Sequence, residues 1–306
     1  MHKIILSALA TLALSATHAT GAEIRNLAPA FTAAYDASAQ LPMPERVAAM
    51  KKVLLAQYPE FYGRGTPEKQ DAAIARAIEA FPKLRDAYTD KAEKFGGAMQ
   101  QHLDTYNKTF PHFRLTVPTA VLHSLHEMDG GTRELNGKLH LIFGADMLAY
   151  VNPKGDPAPL FHHELFHVMH AERFVCEEGK VWPQLWREGL ATYVSHALNP
   201  GASENDLLLN FPSGMAATTR AKLPQAWREL AAVLDSSEKP VYGELFMMNS
   251  AKPGELPRRR GYYLGYLIAQ EAAKTYDLQT LAALDCQQVR GLVESTVQQL
   301  SKRGME

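Results

Sequence analysis

The sequence is poor in cysteine, in net charge and in any apolar run long enough to cross a bilayer. Only Cys176 and Cys286 occur in 306 residues, too few to staple a small disulfide scaffold. Two readings of the pair stay open. One is a single bridge, which would stabilise the fold by up to roughly 4 kcal/mol in the chain-entropy model; the other is two separate buried thiols. Lysine plus arginine number 32 against 33 acidic residues, a formal net charge of −1. A chain this balanced has no global field for gripping nucleic acid, and the run Arg258 to Arg260 reads as a solvated helix start rather than a phosphate site. The most apolar run, Ile4 to Leu14, falls short of the about 20 residues that a membrane helix needs. No internal repeat, coiled-coil heptad or low-complexity tract is found.

What is present begins with a leader-like segment. His2 and Lys3 precede the apolar run, and small and polar residues follow it as "SATHATGA", which is the layout of a secretory signal peptide over residues 1–22. Thr17 and Ala19, or Thr20 and Ala22, fit the small positions before a cut. No cysteine lies nearby, which argues against a lipid-modified terminus. The expectation is an exported protein, periplasmic or secreted, with no membrane span once the leader is removed.

At 46% hydrophobic and 21% charged, the remainder is an ordinary globular composition, long enough for one large domain or two modest ones. Helical spacing over Pro44 to Tyr58 and Thr66 to about Tyr106, the second interrupted at Pro82, predicts an N-terminal helical region over residues 23–107. The period then changes. "FRLTVPTAVLHSL", "TREL" and "KLHLIFG" read as strands, with Asn136-Gly137 as a type I′ hairpin turn, so a small antiparallel sheet is expected from about Phe113 to Gly144. Helical signals return over Pro159 to Phe174, Pro183 to Leu198, Thr219 to Leu234, Arg259 to Tyr276 and Leu278 to Lys302. The fold class is therefore α+β, mainly helical, with the sheet and the later helices in a second region over residues 108–306.

The chemistry concentrates in "FHHELFHVMH", Phe161 to His170. His163, Glu164 and His167 form HExxH. Residues four apart on a helix are turned about 40° and lie about 6 Å apart along the axis, so both imidazoles can share one metal ion. Glu164, turned about 100° from His163, can reach a metal-bound water without ligating the ion. Asp156 and Pro157 offer the helix a start. A catalytic zinc takes three protein ligands and keeps a fourth position open. The best third ligand is Glu188 in "WREGLATY", on the next predicted helix, which can return antiparallel to the first. Otherwise Glu188 is an exposed residue paired with Arg187 or with solvent.

HExxH followed by Glu188-Gly189-Leu190-Ala191 resembles the gluzincin clan of zinc metallopeptidases. The sequence is more closely similar to a bacterial group of predicted zinc-dependent proteases with HExxH, an E-G-x-A helix and a later G-Y-x-x-G-Y helix, here Gly261 to Tyr266. The resemblance covers about Phe113 to Tyr276. It implies a zincin-like metallopeptidase domain, Zn2+ held by His163, His167 and Glu188, Glu164 as general base, and less directly an active-site tyrosine. Tyr262 is the candidate for that role, as a donor to the developing oxyanion, while the alternative is that these tyrosines are core and the glycines permit close helix packing. His170 reads either as a residue supporting the ligands or as an exposed histidine near a cleft. His162 points away from the pair, His196 reads as structural, and His123, His126 and His140 stay unassigned.

The expected function is hydrolysis of a polypeptide or peptide substrate, with zinc acidifying a water and Glu164 moving its proton to the leaving amine. An exposed edge at "KLHLIFG" would pair with an extended substrate. Two alternatives stand beside it: an exported binding or scaffolding protein whose metal is structural or absent, and a zinc hydrolase of a non-peptide amide or ester.

Overall fold

A computed structural model of the chain describes residues 23–177, 179–248 and 254–303, so the leader expected over residues 1–22 lies outside it. The fold is α+β and mainly helical. β1 (Ile24–Asn26) leads into α1 (Ala28–Ala37), α2 (Met43–Gln57), α3 (Pro59–Tyr62) and α4 (Pro67–Thr109). Thr66 caps α4 by accepting from the Lys69 amide, and Pro67 sits where a missing amide proton costs nothing. The interruption expected at Pro82 does not occur: α4 runs through it as one helix of 43 residues. Its inward face carries Phe81, Tyr88, Phe95, Met99 and Tyr106, each at most 1% exposed. That packing outweighs the hydrogen bond the proline removes.

Next come β2 (Thr119–Leu122), β3 (Gly130–Leu135) and β4 (Lys138–Gly144), which join β1 in a sheet of order β1-β2-β4-β3. The β3–β4 hairpin is antiparallel, and both Asn136 and Gly137 have the positive φ its turn requires. The rest of the sheet is not antiparallel, because β1 pairs parallel to β2 and β2 parallel to β4. Two features produce this. The loop after β2 swings across so that β4 returns in the same direction, and the three residues of β1, too short to announce themselves by alternation, add a second parallel strand.

The remaining helices are α5 (Ala145–Val151), α6 (Ala158–Ala171), α7 (Val181–Leu198), α8 (Met215–Ala221), α9 (Leu223–Val233), α10 (Lys239–Phe246), α11 (Arg260–Ala272), α12 (Leu278–Ala283) and α13 (Cys286–Arg303). One apolar core extends from Ala28 on α1 to Val297 on α13, passing through the sheet, α6 and α7. Cys176, in the loop between α6 and α7, is joined to Cys286 at the start of α13 by a disulfide, their Cα atoms 5.6 Å apart. Of the two readings of the cysteine pair, the structure has the bridge. The run Arg258 to Arg260 does start a helix but is not solvated: Arg260 is buried and paired with Glu229 and Glu244.

Two glycines set how closely α7 and α11 cross. A Cβ on Gly189 would lie 2.1 Å from the Gly265 carbonyl carbon, and one on Gly265 would lie 2.3 Å from the Leu185 oxygen. No side chain fits at either position. The helices therefore meet backbone to backbone, which brings Glu188 and Tyr262, on neighbouring turns, to one cleft.

Candidate metal centre

α6 carries HExxH. Asp156 accepts from the Ala158 amide at 2.9 Å where the helix starts, and Phe161, Leu165 and Phe166 bury one side of it completely. The opposite side, from Pro159 through His163, Glu164 and His167 to Ala171, floors a cleft of about 530 Å3. α7 returns antiparallel, as contacts between the two helices show. Ser195 donates to the Pro159 carbonyl at one end of the pair, and Glu188 meets His167 nearer the other.

The two imidazoles and the carboxylate converge. His163 Nε2 and His167 Nε2 are 3.0 Å apart, and Oε2 of Glu188 lies 3.3 Å from each. Tetrahedral coordination with bonds of about 2.0–2.1 Å places ligand atoms about 3.3–3.4 Å apart. The two edges to Glu188 match this and the edge between the imidazoles is about 0.3 Å shorter, and the donor set of two imidazoles and one carboxylate is one a three-ligand zinc site uses. Glu188 is not the exposed partner of Arg187. Its other oxygen accepts from Gln184 Nε2 at 2.8 Å, one helical turn earlier, which fixes the carboxylate's rotation. Burial acts to raise the Glu188 carboxyl, but His167 and His163 outweigh it and hold it well below the usual range. Burial acts to lower His167, and the Glu188 charge more than reverses this. The carboxylate and the imidazoles thus stabilise each other's charged forms across the shared 3.0–3.3 Å contacts.

Glu164 is 7% exposed, and burial pushes its carboxyl above the ordinary range against the pull of His163 and His167. It lies against β3. A Cβ on Gly130 would come 3.1 Å from its Cγ, so the glycine admits the carboxylate next to the strand. β3, not β4, is the edge strand on the side of the cleft, which it lines through Gly130 to Arg133. The edge expected at "KLHLIFG" is absent because β4 is paired on both sides.

Tyr262 lines the cleft, half-buried, with the Arg259 guanidinium 4.5 Å from its ring. Burial and the Glu188 carboxylate push its hydroxyl well above the usual tyrosine range, so it keeps its proton. The other tyrosines of that motif are occupied elsewhere: Tyr263 with Arg220, Tyr266 with His196. His196 thus packs against Tyr266 of α11 and is not among the residues lining the cleft. His162 is buried with contacts to the His102 carbonyl and to Asn199. His170 also lines the cleft, but it is buried rather than exposed, stacked on Phe166 and Phe174.

A second cluster unites His123, His126 and Asp146. Here Asp146 accepts from the Ser124 amide at 2.6 Å, the Ser124 hydroxyl at 3.1 Å and the His126 amide at 2.8 Å. His123 Nδ1 accepts from the Leu125 amide at 3.1 Å. Both Asp146 oxygens and His123 Nδ1 are thus occupied by the loop, although His123 Nε2 is buried without a hydrogen-bond partner among the described residues, and the cluster shapes the loop after β2. Sequence reasoning missed Gln184, Asp129 to Gly131, and the cleft positions of Arg187 and Arg259. Of these, only Gln184 leaves a sequence signal, being one turn from Glu188. Comparison of the chain with family models, curated proteins and solved structures finds no match.

Proposed function

We propose that this protein is an exported zinc metallopeptidase of the gluzincin type. One observation carries the reading: His163, His167 and Glu188 present three ligand atoms 3.0–3.3 Å apart, with the buried Glu164 carboxylate beside them against an edge strand. Zinc held by these residues supplies a Lewis acid and a water acidified toward neutrality.

The chain's own groups do the rest. Glu164 takes a proton from the attacking water and delivers it to the leaving amine; its raised carboxyl moves it toward the pH at which both transfers are efficient. Tyr262, kept protonated, donates to the oxygen on which negative charge develops. Backbone groups of β3, the edge strand along the cleft, pair with an extended peptide and hold it across the ligands. This favours a polypeptide substrate over a compact amide or ester. The Cys176–Cys286 disulfide supports an oxidising compartment. No described helix is long and apolar enough to cross a membrane.

The test is Glu164→Gln in the purified chain. Zinc content should stay at one per chain, while casein or peptide hydrolysis falls by about 10²–10⁴-fold, the range of a lost general base. Hydrolysis at the original rate in this variant removes Glu164 from the mechanism.

A further inference from the structure

The cleft continues beyond the metal ligands. From Leu160 to Ala171 the floor helix spans about 16 Å, so the cleft extends about one turn past His167, to the loop that carries Phe174, Val175 and Cys176. This end is rigid. The Phe174 ring stacks on His170 at 4.8 Å and meets Trp182 edge-on, while Cys176 is bonded to Cys286.

Arg187 stands over it. Its guanidinium lies 5.5 Å from the Phe174 ring and faces the cleft, and among the described residues it has no carboxylate partner. In the same loop, Glu177 is paired with Lys180. Arg133, also on the cleft, is engaged by Glu127. A half-buried guanidinium fixed by an aromatic ring presents its remaining donors in a fork that matches a carboxylate.

We propose that Arg187 and the Phe174–Cys176 loop form a subsite that binds a carboxylate of the substrate, making peptides with a negative charge at this end the substrate class. The proposal rests on the peptidase reading above. The carboxylate comes from an Asp or Glu side chain or from the peptide's C-terminus, and the test separates these sources.

The probes are hexapeptides in which Glu replaces Gln at each position in turn, and pairs with a free or an amidated C-terminus. Charge-assisted hydrogen bonds predict a preference of about 10–100-fold in kcat/KM, mostly in KM, for one of these sets. A Glu preference at one position identifies the side chain as the source; a free-acid preference identifies the terminus. In Arg187→Gln the ratio of charged to neutral peptide should fall to about 1. Arg187→Lys should keep part of it, and Arg187→Glu should turn the preference toward Lys-containing peptides. Zinc content is measured in each variant. Affinities for the same peptides, titrated into Glu164→Gln protein with and without zinc, read the subsite without turnover.

If peptides are cleaved and the wild type shows no charge preference, or Arg187→Gln retains it, the subsite is wrong and the peptidase reading stands. If nothing is cleaved, but the charged peptides bind about tenfold more tightly only when Arg187 is present, the subsite stands and the peptidase reading falls. Absence of both cleavage and selective binding overturns both readings.

Discussion

The two histidine–carboxylate clusters use the same residue types, and their surroundings make them opposite things. His163, His167 and Glu188 project from α6 and α7, whose backbone amides are consumed inside the helices. Apart from the Gln184 amide, their acceptor atoms face each other at 3.0–3.3 Å. His123, His126 and Asp146 sit around a loop in which Leu125 and His126 have positive φ, and the amides of residues 124–126 turn inward onto Asp146 and His123. A loop has free donors and fills its acceptors, whereas two packed helices have none to spare. That difference, rather than composition, is what favours the first cluster over the second in the zinc reading proposed above.

Removing one member from each cluster should separate them most sharply. Glu188→Ala should drop bound zinc from one per chain to near none and take hydrolysis to background, since a two-ligand site holds zinc weakly; His126→Ala should leave zinc at one per chain. Elemental analysis of the dialysed proteins decides, and loss of zinc from both would erase the distinction.

Asp146→Ala reverses the roles. It should leave zinc stoichiometry intact but destabilise the fold by about 3–5 kcal/mol, because inward-pointing donors of residues 124 and 126 lose their partner. Urea unfolding at neutral pH measures it; a change below about 1 kcal/mol would mean the loop does not depend on that carboxylate.

The smallest effect is in pH. Burial lowers His123 from 6.5 to about 4, so the unfolded chain binds its proton first as the solution is acidified. The stability contributed by neutral His123 is complete above about pH 6.5 and is lost as pH falls toward 4, up to about 3 kcal/mol. Unfolding free energies at pH 7 and 4.5, compared with His123→Gln, should show a shallower pH slope in the variant. Equal slopes would show that this ring does not titrate with folding.

The helix face joining His163, Glu164 and His167 was legible because it depends only on 3.6-residue periodicity, a local property. Glu188 was a reasonable expectation for a similar reason, since an acid on an apolar helix needs a partner. The paired glycines at 189 and 265 were visible as letters, but only the crossing of α7 and α11 gives them their meaning. The same crossing takes Tyr262 to the cleft and leaves Tyr266 with His196.

By itself the sequence determined the fold class, the hairpin at Asn136-Gly137 and the shared face of His163 and His167 on α6, all consequences of residues within a few positions of one another. Only the tertiary structure decided that β3 is the edge strand, that α4 continues through Pro82, that the cysteines are bridged and that Arg187 stands over the cleft. Each of these is a relation between segments far apart in the chain, fixed by which apolar surfaces bury one another, and no local pattern encodes that choice.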